Sequence, residues 1–214
     1  MRGKPSVESA DADALRTVLL RWGRTAPDRL NRTGRKDEVE RWILARWLEF
    51  RLDSNELLFP LKVWRDENPD FYVQTGNYQM GLEIVEAVDP NEQVVWTATA
   101  KQDQADDVDR VHDIDEKWLE GRLYPGVVAK TVAKKAKQCS TACTDLLVYL
   151  NTTDDIADDL STRECKLGNA LKDQKRFRCV WVVSGQCLLS FPKTDDAERG
   201  AFERAQVKPR EVDF

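Results

Sequence analysis

Residues 80–88 constrain the fold more than any other part of the chain. A strand that is apolar on both sides is typical of the centre of a sheet whose two faces are covered by other elements. This segment has that pattern on both of its faces, one made by Met80, Leu82, Ile84 and Val88 and the other by Gly81, Val85 and Ala87. It therefore predicts a central strand with helices on each side of the sheet.

Hydrophobic periodicity around this strand predicts alternating helices and strands. We expect an α/β fold with a mixed central sheet flanked by helices, and one domain over residues 1–214 whose core spans 35–150. Segments 1–11 and 194–214 are expected to be peripheral. Helices are predicted at 12–24, 35–52, 92–105, 127–139 and 156–172, strands at 57–64, 70–73, 80–88 and 145–150, and a last hairpin at 177–191.

Composition narrows the class of protein. The net charge of −5 argues against a protein that coats nucleic acid without regard to its sequence. It does not exclude an enzyme that binds nucleic acid through a local basic face. The sequence shows neither a membrane-spanning run nor a secretory signal, so we expect a cytoplasmic protein with no membrane partner. The five cysteines are then expected to be reduced, and a metal–thiolate site is disfavoured because His112 is the only histidine.

Glu83 is the residue that a purely structural interpretation explains least well. It lies in the middle of the predicted central strand, where a charge is costly unless it is paired or bound to a metal. The alternative is an edge strand whose Glu83 points to solvent. Asp70 begins the neighbouring strand directly after Pro69, and on its own it reads as a common turn residue. The two carboxylates together, on adjacent strands, can hold a hard divalent cation.

Two further charges are predicted to point inward. Lys135 lies within the apolar stripe of helix 127–139, three residues after Val132, and the alternative for it is a side chain whose ammonium reaches water. Glu40 faces the apolar side of helix 35–52, and the alternative there is a surface ion pair with Lys36 or Arg41. A lysine near two metal-binding carboxylates can orient the attacking water or neutralise the transition state.

The order of these residues resembles a known signature. Pro69-Asp70, a hairpin and then Glu83-Ile84-Val85 are similar to the motif of the PD-(D/E)XK, or restriction-endonuclease-like, nuclease superfamily, and segment 35–150 has that superfamily's order of helix, three strands, helix and strand. The extra C-terminal helix and hairpin lie beyond this core. The resemblance implies a metal-dependent nuclease in which Asp70 and Glu83 bind the metal and Glu40 assists.

One position departs from the pattern. Val85 stands where the motif has lysine. Some divergent members supply that lysine from the following helix, and Lys135 matches this variation, with Lys101 and Lys62 as weaker substitutes.

The sequence leaves three functions open. The first is hydrolysis of nucleic acid, DNA before RNA, with Mg²⁺ or Mn²⁺ as the cofactor and Glu40, Asp70, Glu83 and Lys135 as the catalytic residues. The second is a catalytically silent domain of the same fold that binds nucleic acid or protein. This function is favoured by Val85, which stands where the motif has lysine. The third is an unrelated binding protein with a solvent-exposed Glu83. A homodimer and a complex with a partner protein both stay open.

Overall fold

A computed structural model describes residues 5–22, 35–88, 124–150, 159–184 and 187–193. The predicted helix at 92–105, the C-terminal segment 194–214 and His112 lie outside these residues. Four helices and seven strands are present in the described part of the chain. In chain order they are β1 (Val7–Ser9), α1 (Ala12–Trp22), α2 (Lys36–Asp53), β2 (Leu61–Arg65), β3 (Phe71–Thr75), β4 (Tyr78–Ala87), α3 (Tyr124–Gln138), β5 (Asp145–Leu150), α4 (Leu160–Leu171), β6 (Cys179–Ser184) and β7 (Cys187–Pro192).

The strands form one mixed sheet in the order β1-β2-β3-β4-β5-β6-β7. The strands from β1 to β4 pair antiparallel, β4, β5 and β6 pair parallel, and β7 returns antiparallel to β6. The strand β4 is thus fourth of seven. This confirms the α/β class and the mixed sheet, and it rules out the edge-strand interpretation of Glu83.

Each face of the sheet carries its own hydrophobic core. The first core packs α1 and α2 against one face, and Trp47 of α2 meets Trp181 of β6 edge to face with ring centroids 5.8 Å apart. The second core packs Val128 of α3 and Leu167 of α4 against the other face. Alternate residues of β4 divide between the two, with Ile84 in the first and Ala87 in the second. The two-sided apolar pattern therefore reports burial on both faces, as predicted.

The boundaries differ most at β2 and at the N-terminus. The predicted strand 57–64 begins only at Leu61, because residues before it are held by a side chain rather than by a strand ladder. The Leu58 N–H donates to Thr75 Oγ1 at 2.8 Å, and the Thr75 hydroxyl donates to the Leu58 carbonyl. Strand β1 has no counterpart among the predicted elements, since three residues are too short to show a period.

Candidate functional site

The four predicted site residues come from four parts of the fold that meet beside the centre of the sheet. Asp70 directly precedes β3, Glu83 lies on β4, Glu40 on the first turns of α2 and Lys135 near the end of α3. The two helices come from opposite faces of the sheet. The carboxylates of Asp70 and Glu83 lie between the charged side chains of one helix and those of the other.

Asp70 is fixed by the strand next to it. Its side chain is buried, and its Oδ2 accepts a hydrogen bond from the backbone N–H of Ile84 at 2.8 Å. Burial raises the pKa of Asp70 above its ordinary value, and the negative charge of Glu83 raises it further, against the lowering effects of the Ile84 N–H and of Lys36 and Lys135. The charges of Glu83 and Lys135 therefore both act on the carboxyl group of Asp70.

Glu83 and Lys135 form an ion pair at the sheet surface below α3. Glu83 is 8% exposed, and Lys135 Nζ donates to its Oε1 at 2.5 Å. Burial alone would lower the pKa of Lys135, but the hydrogen bond to Glu83 and the charges of Glu83 and Asp70 outweigh it, so the pKa is raised. The lysine is therefore held as an ammonium beside two carboxylates.

Glu40 is buried on the inward side of α2 and lies between two cations. Its Oε2 accepts from Arg65 Nη2 at 3.2 Å, while Lys36 Nζ lies 3.1 Å from its Oε1. Burial and the charge of Asp70 raise the pKa of Glu40, against the lowering effects of Lys36 and Arg65. The alternative for Glu40, an ion pair with Lys36, is present, but it joins an exposed lysine to a buried carboxylate rather than two surface charges.

Lys36 belongs to the same cluster, and sequence reasoning missed this. Besides Glu40, its ammonium lies 3.8 Å from Asp70 Oδ1, and the charge of Glu83 also raises its pKa. The largest contribution is the hydrogen bond with Glu40. The only sequence signal was the i, i+4 spacing from Glu40, which is indistinguishable from that of an ordinary surface pair.

The other lysines named for the missing position do not replace Lys135. Lys62 pairs with Glu8 of β1 at 2.7 Å, and Lys101 lies outside the described residues. Val85 packs partly buried against the second core. Of the lysines in the part of the chain that the structure describes, Lys135 is the one hydrogen-bonded to Glu83.

A second group of ligand atoms surrounds Glu83. A carboxylate oxygen of Glu83 and the sulfurs of Cys139 and Cys143 all lie within 4.8 Å of one another. Within the described residues, this group includes neither Asp70 nor Glu40. Burial raises the pKa of both thiols, and the nearby Glu83 adds to the effect. The sequence disfavours a metal–thiolate site because His112 is the only histidine, whereas in the structure the third potential ligand beside the two cysteines is the carboxylate of Glu83.

The carboxylates also suit a hard cation. Glu40 Oε1 and Asp70 Oδ1 lie 3.1 and 3.8 Å from the ammonium of the exposed Lys36. A metal ion could therefore replace this lysine as the partner of one oxygen of each acid. Carboxylate oxygens are the ligands that Mg²⁺ prefers. Asp70, Glu83 and Glu40 would thus offer oxygen ligands to such a cation, although among the described residues the group of three ligand atoms that lie within 4.8 Å of one another is that of Glu83 with the two cysteines.

Comparisons with known proteins give no family for this chain. No family model, no curated protein and no solved structure matches it. None of the described helices is long and apolar enough to cross a membrane. Fold and site therefore define the class by themselves: an α/β protein whose central mixed sheet carries a cluster of three buried carboxylates, each paired with a cation.

Proposed function

We propose that this chain hydrolyses phosphodiester bonds of nucleic acid, DNA before RNA, with Mg²⁺ or Mn²⁺ held by Asp70 and Glu83. The observation that carries the proposal is the pairing of Lys135 with Glu83, within electrostatic reach of Asp70. An ion pair between a partly buried lysine on α3 and a buried carboxylate on the central strand stabilises a fold weakly, since desolvation offsets most of its attraction. A reactive role for these charges accounts for their place.

Each residue has a role in this chemistry. When bound, the metal supplies a water of lowered pKa and neutralises charge on a phosphoryl oxygen. Asp70, fixed by the Ile84 N–H, would present its other oxygen as a ligand, and Glu83 would present the oxygen that Lys135 does not hold. The Lys135 ammonium would orient the attacking water or stabilise the charge that develops on the phosphorane.

Glu40 and Lys36 would act around this centre. Glu40 is a positioning residue that keeps Lys36 and Arg65 near the carboxylates. Lys36 is 77% exposed along its side chain, so its ammonium is accessible to a substrate phosphate. The element order over 35–150 and the supply of a lysine by α3 support membership of the PD-(D/E)XK superfamily as part of the same proposal.

The experiment is cleavage of plasmid, linear and single-stranded DNA, and of RNA, in Mg²⁺ or Mn²⁺. Asp70→Asn, Glu83→Gln and Lys135→Met should each abolish metal-dependent cleavage. Lys134→Met is the matched control, because Lys134 is the exposed neighbour of Lys135 on the same helix. Equal losses in Lys134→Met and Lys135→Met would show that only overall charge matters.

The second candidate is a catalytically silent domain of the same fold that binds nucleic acid or protein. It is favoured by Val85 and by the fact that the buried acids already have cation partners without a metal. Under this alternative no substrate is cleaved, and Mg²⁺ neither binds nor raises the melting temperature. Binding of a labelled DNA that is insensitive to Lys135→Met would then favour the silent domain.

A further inference from the structure

We propose that Cys139, Cys143 and Glu83 form a binding site for Zn²⁺ or a similar borderline-soft cation, with a fourth position left to water. Their three ligand atoms already lie within 4.8 Å of one another. Two sulfurs on a tetrahedral zinc are about 3.8 Å apart, as follows from Zn–S bonds of about 2.3 Å. Small side-chain rotations are therefore enough to complete the site.

The loop that carries the cysteines is held from two sides before any metal arrives. Arg176 donates to the carbonyl of Cys143 at 3.0 Å and to that of Ser140 at 2.5 Å. On the side of β4, the Thr144 N–H donates to the Gly81 carbonyl at 2.9 Å, and the Gly81 N–H donates to Thr144 Oγ1 at 3.1 Å. A preorganised loop lowers the entropic cost of bringing ligands together.

The donor set selects the class of metal. Thiolates are soft ligands that favour Zn²⁺ over Mg²⁺, and three protein ligands with an open position are typical of a catalytic or exchangeable zinc rather than of a closed structural site. The charges also balance. Metal binding would release the two thiol protons to solvent; the resulting two thiolates, the Glu83 carboxylate, the Lys135 ammonium and Zn²⁺ then sum to zero, so Lys135 can keep its oxygen of Glu83 while the metal takes the other.

Glu83 is shared between this site and the proposed Mg²⁺ site. Zn²⁺ bound to the cysteines would occupy the Glu83 oxygen that the Mg²⁺ chemistry requires, and would inhibit it. This consequence rests on the proposed function, whereas the zinc site itself does not. The two ideas are therefore tested by different readouts.

The test is titration of the reduced, metal-free full-length protein with Co²⁺, followed by absorbance. We expect one equivalent to produce a thiolate-to-Co²⁺ charge-transfer band that Zn²⁺ then removes. Cys139→Ser and Cys143→Ser should each weaken or abolish the band. Glu83→Gln should keep a sulfur band but weaken binding by about tenfold or more, since even the partners of metal ligands alter metal affinity by about 10–100-fold.

Cys165→Ser is the matched control. Cys165 is an exposed cysteine on α4 and lies outside the group around Glu83, so this variant should bind Co²⁺ as the wild type does. Far-UV circular dichroism would show that each variant is folded. Absence of a charge-transfer band in the folded wild type, or a band unchanged in Cys139→Ser and Cys143→Ser, would overturn the zinc site. A Co²⁺ band without any nuclease activity would leave the zinc site standing and count against the proposed function alone.

Discussion

The close approach of β4 to the loop after α3 can be tested at Gly81. A Cβ at this position would lie 2.1 Å from the carbonyl oxygen of Ala142 and 2.9 Å from Cγ of Pro69. The first of these contacts is with backbone, which cannot rotate away as the end of a side chain can. Gly81→Ala therefore forces the loop off the strand.

The expected cost follows from what is lost. Overpacking a tight contact costs about 1–3 kcal/mol. Displacing the loop also strains the two hydrogen bonds that the backbone N–H groups of Gly81 and Thr144 donate to each other's residue, each with a net contribution of about 1 kcal/mol. A destabilisation of about 3 kcal/mol is the result, which for a chain of this length lowers the melting temperature by roughly 6–12 °C.

The assay is thermal and urea unfolding of Gly81→Ala beside Gly126→Ala. Gly126 lies in the first turn of α3, and a Cβ added there would meet no heavy atom within 4 Å, so alanine should be neutral or stabilise by up to about 1 kcal/mol. If Gly81→Ala unfolds at the wild-type temperature, the loop does not lie against β4. The placement of the cysteines beside Glu83 would then be wrong as well.

Three further predictions concern the charges around the site. Lys135→Met should lower the free energy of unfolding, measured in urea, by about 2 kcal/mol, a value between those for exposed and for fully buried ion pairs. In a double-mutant cycle it should couple to Glu83→Gln by about 1–2 kcal/mol, and purely additive losses would contradict the ion pair. Because burial raises the pKa of Asp70 in the folded state above its ordinary value of 3.8, stability is greatest below that value and falls as pH rises through the folded pKa. Metal-free Asp70→Asn should therefore be more stable than wild type at pH 7, with a gain that shrinks on acidification, and lower stability at pH 7 would refute the shift. Arg176→Gln should cost about 1–2 kcal/mol and weaken Co²⁺ binding, whereas the exposed neighbour Lys175→Gln should change neither.

The sequence predicted the structure well wherever burial produces a regular spacing of apolar residues. Strand β5 was predicted with its observed bounds, and the placement of Glu83 on a central strand followed from apolar residues on both of its faces. Lys135 was predicted to point inward because of its place in the apolar stripe of α3, and it does. Periodicity reports which side of an element is covered, and these assignments required no more than that.

The partners of these residues could not be predicted, because they depend on long-range geometry. The parallel pairing of β4 with β5 places Glu83 opposite Leu146, and the loop just before β5 carries Cys143 to the same side as Glu83. No local pattern records that juxtaposition. Lys36 was overlooked for a related reason, since its spacing from Glu40 is also that of a surface ion pair, and only the position of Asp70 distinguishes the two.

The way in which the charges are compensated separates the two proposed functions. Three buried carboxylates would destabilise the fold if they were left unpaired, and the chain supplies Lys36, Arg65 and Lys135 as their counterions from three different elements. The protein can therefore fold before it meets a metal. In a silent domain this compensation is the whole role of the lysines, and they stay where they are. In an enzyme, a cation at the other oxygens of Asp70 and Glu83 would share their neutralisation, so Glu83 would hold the Lys135 ammonium less strongly and leave it freer to orient water or phosphate. Mg²⁺ should then weaken the coupling between Lys135 and Glu83 in the double-mutant cycle, and a coupling unchanged by saturating Mg²⁺ would favour the silent domain.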